Sequence, residues 1–140
     1  MKLPAEIEIG GQVYRLGQMD AMLQFHVARK LAPVVASLGT SVFELKAASE
    51  PLEQDQWILK ALGPVMNVVA SMDKDAVDFI MTSSLGVVSR RAEDGRFTAI
   101  QVANKLMFLD INMPTMFRLV VEVLKENLGS FFGEALGGLT

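Results

Sequence analysis

Cysteine is absent from this 140-residue chain, and histidine occurs once, at His26. Without thiols there is no disulfide, no thiolate nucleophile and no cysteine-ligated metal, a composition suited to a reducing compartment. One histidine cannot by itself build a usual zinc site. Long apolar runs are also missing. The longest uncharged stretches, residues 31–43 and 61–72, are interrupted by Gly, Pro, Ser or Thr and fall short of the roughly 20 residues that span hydrocarbon. Charge is sparse, at 21% of residues, and sums to −3. Nucleic-acid binding rests on clustered Lys and Arg, yet the one dense basic stretch, Ser89-Arg90-Arg91, runs straight into Glu93 and Asp94. Neither nucleic acid nor membrane is expected as a partner. The N-terminus leads into an acidic, alternating segment where a secretory signal would place its apolar stretch, so a cytoplasmic location is expected.

What is present is apolar: 51% of residues are hydrophobic and the mean hydropathy is +0.33. Disorder is excluded by that balance, and the length fits one domain, residues 1–140, with a sizeable core. The surface should be less polar than usual, with some of it reserved for a partner.

The local pattern predicts an α+β fold, mainly helical. Residues 6–9 alternate Glu-Ile-Glu-Ile, turn at Gly10-Gly11 and return as Gln-Val-Tyr-Arg-Leu, an N-terminal β-hairpin in which Ile7 faces Tyr14 and Glu6 faces Arg15. Asp20 caps a helix whose apolar face carries Leu23, Val27, Leu31, Val34, Val35 and Leu38, with His26, Arg29 and Lys30 opposite. Pro33 should kink that helix or end it early. A short helix over residues 42–48 precedes a boundary at Glu50-Pro51. Residues 54–72 read as a helix that is nearly all core, its polar strip reduced to Lys60, Asn67 and Ser71, with Gly63-Pro64 bending or splitting it. Asp73 caps the next helix, which stops near Gly86. Residues 87–100 flank Glu93-Asp94-Gly95 as a second short hairpin or a loop. Leu106-Met107-Phe108 suggests an extended piece. Asn112-Met113-Pro114 then opens a last helix expected to end at Leu128, before Gly129.

No catalytic constellation emerges. A Ser-His-acid arrangement would need His26 beside a nucleophile, but it lies on a charged helix face with Arg29 and Lys30 and no elbow-type motif nearby. Asp73, Asp75 and Asp78 do not follow a calcium-loop spacing, and aspartates at a helix start are explained by capping and the helix dipole. Gly10-Gly11 and Gly137-Gly138 do not fit a phosphate-cradling loop between strand and helix. Trp57 opens an apolar helix and reads as a core or groove anchor. The expectation is no enzyme, no cofactor and no metal.

Binding has firmer support. In the last helix Met116, Phe117, Leu119, Val120, Val121, Val123, Leu124 and Leu128 cover about half the circumference, wider than the roughly 100° stripe that one packed face needs. Phe131 and Phe132 follow. Two explanations stay open: the helix is central to the fold, or one sector packs the core while another awaits a partner. Nine methionines favour the second, because flexible thioethers suit surfaces that accept several apolar helices.

The hairpin Ile9-Gly10-Gly11-Gln12-Val13-Tyr14-Arg15 and the helix Phe25-His26-Val27-Ala28-Arg29-Lys30-Leu31-Ala32-Pro33 resemble the tail assembly chaperones of long-tailed bacteriophages and prophages. So do Leu106-Met107-Phe108-Leu109-Asp110-Ile111 and Glu126-Asn127-Leu128-Gly129-Ser130-Phe131-Phe132, in the same order over most of the chain. Residues 89–98 depart from the pattern, and the role of that loop is open. The resemblance implies a protein of the host cytoplasm that binds the tape measure protein and keeps it soluble until tail tube subunits coat it. It also implies absence from the finished virion. On this reading a groove takes an amphipathic helix. Phe117, Val120, Val121, Leu124, Leu128, Phe131 and Phe132 would be the apolar contacts, and His26, Arg29 and Lys30 a polar rim. A homo-oligomer is expected, because an idle chaperone must hide such a surface. Alternatives are a structural tail component and a small phage-encoded inhibitor or regulator of a host protein.

Overall fold

The fold, described for residues 5–38 and 53–137 of a computed structural model, is α+β. Strands β1 (Ala5–Ile9) and β2 (Gln12–Leu16) form the expected hairpin, with Ile7 opposite Tyr14 and Glu6 opposite Arg15. Gly10 and Gly11 both take positive φ, 59° and 82°, which a two-residue turn matching the strand twist requires. The second hairpin also forms, from β3 (Val88–Arg91) and β4 (Phe97–Ala99). β3 pairs antiparallel with β2, Leu16 against Val88 and Tyr14 against Arg90. The two hairpins thus merge into one sheet of order β1-β2-β3-β4. Tyr14, Leu16, Val88 and Ile100 are buried on one side, while Arg15 lies over the Phe97 ring at 3.7 Å on the other.

Helix α1 (Ala21–Leu38) starts at Asp20, whose Oδ1 accepts from the Leu23 N–H at 2.8 Å, and buries Val27 and Leu31. It does not end early at Pro33. Arg29 and Pro33 are both exposed, so the carbonyl that loses its partner lies on the solvent side. The short helix expected over 42–48 and the boundary at Glu50-Pro51 lie outside the described residues. Residues 54–70 form one helical run of three parts: α2 (Gln54–Trp57), a π-helical stretch (Ile58–Leu62) and α3 (Gly63–Ala70). The π stretch directly precedes Gly63-Pro64, where an α-helix would have lost a bond and met the proline ring. This run is not nearly all core. Trp57 and Val65 are buried, but Leu59 is 84% exposed and Ile58 and Met66 are also exposed. Helix α4 (Lys74–Leu85) is capped by Asp73, which accepts from the Ala76 N–H at 3.1 Å.

A third hairpin, β5 (Gln101–Val102) and β6 (Lys105–Leu106), turns through Ala103 and Asn104, both at positive φ. Helix α5 (Met113–Gly137) follows, and Asn112 caps it by accepting from the Thr115 N–H at 3.0 Å. The expected end at Leu128 is wrong: the helix runs on through Gly129, which is buried. A mid-helix glycine costs about 1 kcal/mol, less than packing can return at a buried site.

Sheet and helices meet at one junction. The Gly17 N–H bonds the Val87 carbonyl at 2.8 Å, and the Gly17 carbonyl accepts from Asn127 Nδ2 at 3.1 Å. Asn127 Nδ2 also reaches the Val123 carbonyl, and its Oδ1 accepts from the Met19 N–H at 2.8 Å and from Gln24. A Cβ on Gly17 would stand 2.5 Å from the Val87 oxygen. Gly17→Ala should therefore cost about 2 kcal/mol or more. Asn127→Ala should cost about 2–3 kcal/mol by stranding the Met19 N–H and the Gly17 carbonyl. Urea titrations followed by circular dichroism measure both, and a loss below about 0.5 kcal/mol in either contradicts the junction's importance.

Candidate functional site

Helix α5 supplies the apolar residues singled out in the sequence, and it is surrounded. Leu119, Val120, Val123 and Leu128 pack into the main core with Tyr14, Leu16, Val27, Ile80 and Ile100. One sector round, Phe117 and Val121 form a separate cluster with Trp57 and Val65, completed by half-buried Leu62, Val69, Met81 and Met116. The over-wide apolar arc therefore reflects a central helix, with two different layers against it.

Between those layers lies an apolar cavity of about 80 Å³. Helix α5 contributes Phe117, Val120, Val121 and Leu124 to its wall, and α1 contributes Leu31. The opposite wall comes from residues 65–81: Val65, Val68 and Val69 of α3, Met72 of the connection, and Val77, Ile80 and Met81 of α4. None of these seven is among the expected partner contacts, although Val77, Ile80 and Met81 belong to the apolar stripe of the helix that Asp73 caps. For the four from 65 to 72 the signal is the narrow polar strip of residues 54–72, which leaves more apolar positions than a single buried face can use.

Four of the expected partner-binding residues thus meet at one place: Phe117, Val120, Val121 and Leu124. Leu128 is not in the cavity wall but in the main core. The side chains of Phe131 and Phe132 lie outside the described residues. Nor do His26, Arg29 and Lys30 line the cavity. His26 leans on the exposed Phe25 ring at 5.2 Å, Arg29 is exposed, and the Lys30 ammonium lies 5.6 Å from the Phe79 ring centre.

Polar groups border the site at one end. Arg118 is buried in α5 and donates to Gln54 Oε1 at 2.8 Å, and Gln54 Nε2 donates to Thr115 Oγ1 at 3.4 Å. Burial pushes the Arg118 guanidinium below its ordinary range, with the Glu122 carboxylate opposing the shift. Trp57 Nε1 is buried without an acceptor among the described residues. A second polar group braces the loop before α5: Arg90 donates to Asp110 at 2.8 Å and stacks 4.3 Å from the Phe108 ring. That hydrogen bond holds Asp110 below and Arg90 above their usual ranges, while burial raises the Tyr14 hydroxyl. The braced turn projects Leu109 fully into solvent, with Val102, Met107 and Met113 also exposed.

Among the described residues, no three His, Asp or Glu side chains are grouped to hold a metal, and no helix is long and apolar enough to cross a membrane. What the arrangement offers chemically is an apolar seat between helices.

A family model described as phage tail assembly chaperone protein matches residues 10–140. No curated protein and no solved structure matches the chain.

The Trp57 indole gives a sharp expectation for stability. Trp57→Phe should change the unfolding free energy by less than about 1 kcal/mol, because it removes a buried donor that has no acceptor among the described residues. Trp57→Ala should cost about 3–5 kcal/mol through the cavity it opens. Urea denaturation followed by circular dichroism compares the two, and equal losses would contradict the placement of the indole nitrogen.

Proposed function

Because the chain belongs to the phage tail assembly chaperone family, we propose that it binds the tape measure protein and keeps it soluble in the host cytoplasm until tail tube subunits take over. Its role is binding without catalysis. The observation that carries the reading is the apolar cavity at α5, whose wall includes Met72 and Met81 beside Phe117 and Leu124. A tape measure protein is a long helix, and helices in water present apolar side chains that a groove can shield. Flexible methionine side chains let one groove accept many such sequences. Phe117, Val120, Val121 and Leu124 form the seat, with Phe131 and Phe132, later in the same helix, proposed as further client contacts, while Leu128 belongs to the main core. His26, Arg29 and Lys30 form the polar rim on α1, the helix that reaches the cavity through Leu31. The tail tube protein is a second partner, and the idle chaperone self-associates to cover its apolar surface.

Val77 and Leu124 face the cavity and are only half-buried, so charge can be placed there with the least damage to the fold. On co-expression the unaltered chain should keep the tape measure protein in the soluble fraction. Val77→Asp and Leu124→Asp, checked for native circular dichroism, should leave most of it insoluble. Full solubility with both folded variants would sink this placement of the groove. Mass spectrometry of purified virions should find the chain absent, and stoichiometric amounts would support a structural tail component instead.

A further inference from the structure

Residues 54–70 cover part of the site, and several features mark this cover as imperfectly fitted. The buried residues Trp57, Val65, Phe117 and Val121 cluster apart from those of the main core, with half-buried Met81 and Met116 touching both, so lifting residues 54–70 would expose Phe117 and Val121 while leaving the sheet, α1 and α4 packed on α5. The outward side of the run is itself apolar at Ile58, Leu59 and Met66. Its regularity breaks at the π stretch, next to Gly63-Pro64. At its start Gln54 bonds Arg118 and Thr115. The seam stays partly unfilled, with the cavity between Val65, Val68 and Val69 on one side and Phe117, Val121 and Leu124 on the other. The Trp57 indole N–H finds no acceptor there among the described residues.

We propose that residues 54–70 are an intramolecular stand-in for the client helix: they shield Phe117 and Val121 while the chaperone is idle and yield the seat to a partner helix. This rests on the helix-in-groove reading above. The stand-in also defines the chemistry of the helix that replaces it. Trp57, Leu62, Val65 and Val69 share the inner face only because the π stretch inserts a residue between the first two. Without that insertion the spacing becomes roughly i, i+4, i+7, i+11, the apolar stripe of a regular amphipathic helix. A client with that stripe fills the seat with no irregular turn, and so displaces the stand-in.

The cysteine-free sequence permits a direct test on the full chain. Val65→Cys places a thiol at the seam and Val123→Cys places one in the main core. With Ellman's reagent under native conditions, the first thiol should react about 100-fold faster than the second, at a rate nearly independent of low urea, as expected for a local opening. A synthetic helical peptide with leucines at the stated spacing should accelerate labelling of Val65→Cys and leave Val123→Cys unchanged. Equal rates with equal urea dependence would show that residues 54–70 leave only on global unfolding, which overturns the proposal, as does a peptide that changes nothing. Hydrogen exchange of the unaltered chain gives the same comparison without substitutions: residues 54–70 should exchange ahead of residues 117–124. None of these measurements uses tape measure protein. Their failure removes the stand-in and leaves the solubility assay to decide the chaperone reading, and failure of that assay leaves the opening intact.

Discussion

Burial of α5 is the constraint from which the rest of the structure follows. A helix apolar over half its circumference cannot lie on a surface, so it must be enclosed from more than one side. The sheet, α1 and α4 enclose one sector, around Leu119 and Val123, and the helical run at 54–70 encloses the next, around Phe117 and Val121. Polar links then fix the enclosure: Asn127 ties α5 to the crossing at Gly17, and Arg118 ties it to Gln54. A half-buried asparagine that uses both its amide and its carbonyl sets register in a way apolar packing cannot, because moving it by one residue would leave its partners unpaired.

The two enclosures differ in quality, and the difference bears on function. The main core includes Val27, Ile100, Leu119 and Val123, all fully buried. The second layer contains an irregular helix, an indole N–H with no acceptor among the described residues, and a cavity. Local stability varies across a fold, and binding elements come from its weaker parts because they must rearrange at small cost. On the proposed function, the protein has to release its client as readily as it takes it. A loosely fitted layer over a firm core meets both needs.

Features legible in the sequence were those fixed over a few residues. Gly10-Gly11 between alternating strands gave the first hairpin with its register, and Asp20, Asp73 and Asn112 gave three helix starts, since each rests on a side chain bonding a nearby N–H. Distance-dependent features were not legible. Nothing local says that β3 pairs with β2, because that contact joins residues far apart in sequence. The third hairpin escaped notice because its turn uses Ala103-Asn104 rather than a glycine pair. Gly129 misled because a helix stop and a buried small residue look alike until packing is known. For the site, the apolar excess on α5 pointed to Phe117, Val120, Val121 and Leu124, while the opposite wall required the fold. Nor could periodicity tell that α1 reaches the cavity wall through Leu31, since it reports which residues share a face and not what that face meets.

The pairing of Leu16 with Val88 also bears on how the molecule is made. About seventy residues separate the two, and at 5–20 residues per second the ribosome needs several seconds to bridge them. Until then the first hairpin has an open edge, with β2 offering unpaired amides and carbonyls to any passing strand. This edge therefore stays unsheltered during synthesis, and translation speed through the intervening helices sets how long that exposure lasts.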